Sequence, residues 1–374
     1  MEIVIVGAGP VGCYTAQLLK HYGIRTRIIE EHKEVGKPVK CAGIVGRQVF
    51  ENTIISLVKS SIINQLNGAL FFYKDENFKI QRERVAYVID RERFDKNLSN
   101  GLEIEYDTKL VEIRKEGNKY LLKTNRDWIY ANMVIGADGP ISRVRKFLIS
   151  EFTDNDRDEI EYYAGYQYRI KLKENIENLE IAQVYVKENI PFFIWIIPEN
   201  KDIIRLGVIS KNGNNIIDNF LKTSEIRGEI IEKLAGVIPI GLVQKTCNES
   251  IAVVGDAAGQ VKPLTGGGIY YGLKSAEILV ECIKEGKLFE YDKRWKKRFG
   301  REIKFGLRAR RIYERLNKLE VNNIFELFKE NSKFIEKVAS FENHSMVFRE
   351  SLKNPKIFIK TGNILGRNIR KILF

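Results

Sequence analysis

The sequence predicts an α/β (α+β) protein: a helix-flanked, ligand-binding α/β layer, an antiparallel sheet, and a helical C-terminal region. Three observations predict it. A glycine loop, GAGPVG, follows a short apolar strand at the N-terminus. A second glycine-rich stretch, VVGDAAGQVKPLTGGGIYYG (253–272), follows another apolar strand. Between them, several runs within residues 161–210 show the alternation and short polar turns of strands rather than helices.

The elements follow in order. Residues 2–6 form an apolar strand, 11–22 a helix with one apolar face, and 24–30 a second strand. In this βαβ start, Gly7 permits the tight turn, Gly9 lets backbone approach a pyrophosphate, and Gly12 allows close helix packing. Glu30 follows Gly12 by 18 residues, where an acidic side chain can accept from ribose hydroxyls. The layer therefore reads as Rossmann-like and binds a dinucleotide. A loop punctuated by glycine and proline comes next, in which the small residues Cys41, Ala42 and Gly43 permit close approach to a ligand. From spacing alone, Cys41 reads as a small buried hydrophobe.

Residues 85–89 lead as a strand into DRERFDKNL, where Arg91 can serve as an internal ion-pair partner or reach a phosphate. Residues 110–113, 120–124 and 128–131 form a small meander, and a strand through MVIG ends on Asp138-Gly139, a turn in the cofactor layer. Strands follow at 161–172, 181–186, 192–197 and 203–210, the first with tyrosines on both faces. The stretch 253–272 has the build of a polyanion site: Asp256 at a strand end, then Gly266, Gly267 and Gly268 opening a helix whose N-terminus favours negative charge. Beyond residue 277 the chain reads as helical, charged and aromatic.

Composition narrows the function. At 374 residues the chain suggests about two domains. No apolar run reaches the roughly 18 residues of a membrane span, and the start MEIVIVGAGP reads as a core strand rather than a signal peptide. Four cysteines and three histidines without ligand spacing give no metal site, and fit a reducing cytoplasm. The net charge of +13 arises wholly after residue 286, where 23 Lys and Arg face 10 Asp and Glu. A basic end on a neutral body argues for a local contact and against nucleic acid. The segments WKKRF (295–299), FGLRARRIY (305–313) and ILGRNIRKILF (364–374) mix cations with bulky apolar residues, as interfacial helices do.

With GAGPVG, Glu30, the Cys41-Ala42-Gly43 loop, GADGPISRVRK and VVGDAAGQVKPLTGGGIYYG in this order, residues 1–285 resemble the geranylgeranyl reductase family of flavoproteins, which share the p-hydroxybenzoate hydroxylase fold. The resemblance implies FAD as cofactor. It places Val11 and its glycine loop on the pyrophosphate, Glu30 on the ribose, and Cys41 and Ala42 beside the flavin. Arg91 and Val111 would also contact FAD, with Asp138 in the same layer, Asp256 toward the ribityl and pyrophosphate, and Gly268 and Ile269 against the ring. The family's YxWxFP strand, which lines an isoprenoid cavity, corresponds to Phe193, Trp195, Ile197 and Pro198; Phe193 stands for Tyr, Ile197 for Phe, and Ile209 for the second glycine after Gly207.

The expected organisation is an FAD-binding domain of residues 1–150 and 245–285, a substrate sheet of 151–244, and a basic helical region of 286–374. The expected activity is FAD-dependent saturation of C=C bonds in geranylgeranyl or other isoprenoid chains of membrane lipids or their precursors. Cys41 ranks first as proton donor. The electron donor is left open among ferredoxin, NAD(P)H or another reduced carrier, with an electron-donor protein among the candidate partners. The basic C-terminal region would hold the protein on the inner face of the cell membrane. Two alternatives are an FAD-dependent aromatic monooxygenase and an inactive, membrane-associated flavin binder.

Overall fold

The computed structural model describes residues 2–51, 54–152, 159–188, 190, 192–210, 213–354, 357, 359, 360 and 362. The basic segment 364–374 lies outside them. A five-stranded, all-parallel sheet runs in the order Ile251–Val253, Met133–Gly136, Ile3–Val6, Arg27–Ile29, Ile104–Glu105. Its three leading strands are buried at every residue, which is why they read as continuous apolar runs. The helices Pro10–His21 and Ile269–Lys284 pack together against this sheet, and Tyr14 Oη donates to Glu277 at 2.9 Å. The meander Leu110–Glu116, Lys119–Thr124, Trp128–Ala131 is antiparallel, as its alternation predicts.

The second layer is an eight-stranded sheet in the order Gly228–Leu242, Glu159–Leu172, Ile203–Ser210, Phe193–Pro198, Ile181–Val186, Ile62–Tyr73, Glu76–Ile89, Ile44–Gly46. All its pairs are antiparallel except Ile181–Val186 with Ile62–Tyr73. Two long strands here, Ile62–Tyr73 and Gly228–Leu242, escape sequence reading. The first alternates only weakly; the second is an edge strand whose solvent face carries Ile and Val beside Glu and Lys. Three strands of this sheet come from within the first 150 residues, so the two layers interleave along the chain.

The last helices, among them Arg301–Tyr313, Lys318–Glu330, Ser332–Val338 and Ser345–Leu352, come back against the large sheet. Val321 and Phe325 pack on Tyr73 and Phe78 of its strands. Within the described part of the basic region, several apolar residues point inward. Trp295 is fully buried, its indole donating to Thr246 Oγ1 at 2.7 Å, and Phe299, Ile303 and Ile312 are buried too. Lys297, Arg298, Arg301, Lys304 and Arg311 are exposed. Among the described residues no helix is long and apolar enough to cross a membrane.

Candidate cofactor and substrate site

One cavity of about 1400 Å³ lies between the two sheets and the C-terminal helices. Its first wall is the glycine loop. Gly7 has φ +99°, and a Cβ there would lie 2.4 Å from Ala137 O; a Cβ on Gly12 would lie 2.0 Å from Gly7 O. Both positions therefore require glycine so that strand, loop and helix can close up. Gly9 has nothing within 4 Å of a Cβ and caps the helix Pro10–His21 without a side-chain acceptor. Its face opens into the cavity, and the helix N–H groups behind it are available to an anion.

The second glycine stretch arrives from the other side. Gly268 caps the helix Ile269–Lys284, again with no side-chain acceptor, and a Cβ on it would lie 2.7 Å from Asp256 Oδ1. Burial pushes the Asp256 carboxyl up to about 6 despite the charges of Arg91 and Arg145. Its carboxylate has no hydrogen-bond partner among the described residues. Thr265 Oγ1, on the same wall, is likewise buried and without a partner among them. Two uncapped helix N-termini, an unpartnered carboxylate and a glycine cradle fit a large ligand carrying both phosphates and hydroxyls.

The remaining residues of the first wall are more engaged. Glu30 Oε2 accepts from Ala8 N at 2.7 Å, and Oε1 accepts from His32 N at 3.0 Å. Ser142 caps the helix Arg143–Ser150, and Asp138 Oδ2 accepts from the first-turn amides Arg143 N at 2.7 Å and Val144 N at 3.2 Å. Arg91 pairs with Asp95 at 2.9 Å and stands beside the half-buried Cys41 thiol, which itself accepts from Gly43 N at 3.4 Å. Arg145, wholly buried, donates to Ala257 O and Pro140 O and so ties the GDAAG turn to the Asp138 loop.

The opposite wall is the large sheet. Trp195 pairs across strands with Gly207, where a Cβ would lie 2.3 Å from the indole ring, and the ring nitrogen donates to Gln167 Oε1 at 3.1 Å. Phe193 and Ile197 line the same face. An apolar arm continues past Phe71, Phe78 and Val184 to Phe325, Phe328 and Phe348 of the C-terminal helices.

Of the residues expected from sequence, Gly7, Gly9, Val11, Glu30, Cys41, Ala42, Arg91, Asp138, Asp256, Gly268, Ile269, Phe193, Trp195 and Ile197 all border this one cavity. Three do not. Gly12 is spent on packing, Pro198 ends its strand with its carbonyl accepting from Asn64 Nδ2, and the Val111 side chain is 41% exposed. Sequence reading missed a buried cluster at the junction of the walls. Lys262 Nζ lies 2.9 Å from Glu342 Oε2 and donates to Phe341 O at 3.0 Å. His344 lies on the same wall; burial, then the charge of Lys262, pushes its pKa down to about 3, so the imidazole is neutral. The one available signal was a cation inside VKPLTGGG, and nothing local marked its partner 80 residues away.

Comparison with known proteins agrees with this geometry. Residues 1–49 match a family model described as an FAD binding domain. An uncharacterized protein of Methanocaldococcus jannaschii is 32% identical over 347 residues, which are 87% of each chain. A digeranylgeranylglycerophospholipid reductase of Methanococcus vannielii is 28% identical over 88% of this chain and 91% of its own. Among solved structures, a geranylgeranyl bacteriochlorophyll reductase-like protein of Thermoplasma acidophilum superimposes with a TM-score of 0.80 over 97% of this chain and 98% of its own, at 22% identity, a likeness of fold. The cofactor that the first wall accommodates is FAD.

Proposed function

We propose that this chain, which belongs to the geranylgeranyl reductase family of flavoproteins, is an FAD-dependent reductase that saturates C=C bonds in isoprenoid chains of membrane lipids or their precursors. The observation that carries the proposal is the cavity itself: a polar, glycine-lined end continuous with an apolar arm walled by Trp195, Phe71, Phe78 and Phe325. An isolated alkene offers no polar handle, so an enzyme acting on it must hold it by burial, at about 25 cal/mol per Å² of apolar surface removed from water.

FAD, when bound and reduced, supplies the hydride for one alkene carbon. The chain's own residues do the rest. The glycine loop with Val11 and the helix N-terminus at Pro10 would take the pyrophosphate, and Glu30 the adenosine ribose. Asp256 would accept from ribityl hydroxyls, and Gly268, which has no side chain, would let the ring approach the backbone beside the apolar Ile269. Arg91, Ala42 and Asp138 border the same space, and Val111 would contribute backbone alone. Phe193, Trp195 and Ile197 would hold the prenyl chain and exclude water. Cys41 would hold the proton for the second carbon; after transfer, the Arg91 guanidinium would stabilise the thiolate.

Residues 1–150 with 245–285 would form the FAD unit, 151–244 the core of the substrate sheet, and 286–374 its basic helical cover. The exposed cations of that cover suit the anionic inner face of the cell membrane, each contributing about 1 kcal/mol near the surface. The physiological reductant would be a ferredoxin, NAD(P)H or another reduced carrier.

The test is anaerobic. Dithionite-reduced holoprotein mixed with a geranylgeranyl glycerophospholipid should reoxidise and yield product heavier by two hydrogens per double bond. Oxygen consumption with an aromatic acceptor and no lipid product would instead establish a monooxygenase. Exchanging Cys41 for Ser should leave the flavin spectrum unchanged and lower kcat by about 10²-fold or more, the range of a lost general acid. An unchanged kcat would remove Cys41 from the chemistry.

A further inference from the structure

We propose that Arg205 is a positioning residue that locks the Cys41-Ala42-Gly43 loop to the Trp195 wall of the cavity. The significance of that loop for catalysis rests on the reductase reading; the clamp itself stands on its own geometry. Arg205 lies on the strand Ile203–Ser210, opposite Ile197, and alternation places it on the same face as Gly207 and Ile209. That face bears Trp195 over Gly207 and lines the cavity at Ile209. One strand therefore carries both the substrate wall and the guanidinium that reaches across to the cofactor side.

The reach is specific. Nη1 of Arg205 donates to Ala42 O at 2.8 Å, Ile89 O at 3.1 Å and Gly43 O at 3.4 Å, while Nε donates to Glu199 Oε2 at 2.8 Å. Glu199 is held in turn by Arg169, at 3.0 and 2.6 Å. Gly43, with φ +69°, leaves the space the guanidinium fills: a Cβ there would lie 2.1 Å from Nη1. A planar fork with donors on both edges can satisfy a carboxylate and carbonyls together, which an ammonium cannot reproduce.

Stability alone is a poor account of this arrangement. Buried ion pairs are often matched or exceeded by well-packed apolar residues of similar volume, so a guanidinium aimed at two carbonyls of a cavity loop and one at the end of the strand Glu76–Ile89 argues for placement. The loop it holds carries the Cys41 thiol, fixed from the other side by Gly43 N and neighboured by Arg91, which Asp95 orients. Displacing such a group by about 1 Å can cost on the order of 10²-fold in rate.

The test uses FAD-loaded, full-length wild type, Arg205→Met and Arg205→Lys. Glu199 keeps Arg169 as partner in both variants, so no carboxylate is orphaned. Cys41 is the one cysteine that is not buried, and its alkylation by iodoacetamide can be followed by mass spectrometry at a fixed pH. In Arg205→Met the freed loop should alkylate about tenfold faster, and lipid reduction should lose about tenfold in kcat with KM within twofold, the signature of a lost transition-state placement. Arg205→Lys should fall between Met and wild type. A folded, yellow Arg205→Met whose alkylation rate and kcat stay within twofold of wild type overturns the proposal, even if its urea midpoint drops. If Arg205→Met fails to fold, Arg205→Lys decides by the same criterion. If alkylation accelerates but wild type reduces no prenyl lipid, the clamp stands and the reductase reading falls.

Discussion

Asp256 shows most directly how burial sets the charge of a single residue lining the cavity. Burial disfavours the charge on its carboxyl and pushes its pKa up to about 6. The folded state thus keeps a proton that the unfolded chain has lost above about 4, and this group's contribution to stability falls as pH rises from about 4 to 6. A ligand hydroxyl that donates to the ionised form reverses the balance. FAD affinity measured by titration of apoprotein should therefore strengthen between pH 5 and 7, and Asp256→Asn should flatten that dependence. An equally steep dependence in the variant would place the titrating group elsewhere. At this scale the sequence was informative wherever sterics are local: Gly7, Gly9 and Gly268 sit where their lack of a Cβ is required or used, and their spacing announced it. It was least informative for groups whose partners are remote, such as Lys262, or whose side chains the fold turns outward, such as Val111.

Among the elements, the strand pair Phe193–Pro198 and Ile203–Ser210 shapes the Trp195 wall of the cavity. The Trp195 ring occupies the space above Gly207, where an added Cβ would also lie 2.6 Å from Tyr166 O. Relief would require both backbone and ring to move. Gly207→Ala should accordingly destabilise the protein by about 1–3 kcal/mol, the usual cost of overpacking, and shift tryptophan emission. Unchanged emission and urea midpoint would show that the wall is loose. The strand pair itself was legible because each member is a short, nearly continuous apolar run bounded by polar turns, whereas Gly228–Leu242 was not. Edge strands satisfy weaker constraints, one side being free to solvent, and so leave a weaker pattern.

The whole molecule is closed by its C-terminal segment. Lys262 from the cofactor layer holds Glu342 and Phe341 from the C-terminal segment, Tyr271 donates to Glu342 O, and Ser345 N donates to Glu302. With both side chains almost wholly buried, Lys262→Met would leave the Glu342 carboxylate uncompensated and should cost about 3–5 kcal/mol. The double variant Lys262→Met, Glu342→Leu should recover most of that loss in urea denaturation. No recovery would mean that the ammonium has a role beyond the pair. The inward packing of Trp295, Phe299 and Ile312 also alters what the basic composition means: their apolar bulk fills the core, and the exposed cations remain as the surface feature.

The sequence by itself determined the leading strands of the cofactor layer and the class of ligand, because each follows from short-range sterics: a glycine turn, an apolar run, an acidic residue at a strand end. The tertiary structure alone decided that the strands Ile44–Gly46, Ile62–Tyr73 and Glu76–Ile89 join the large sheet, that the C-terminal helices wall the apolar arm, and that Arg205 reaches Ala42 across 163 positions of chain. Those contacts depend on the closure of long loops, which leaves almost no local pattern to read.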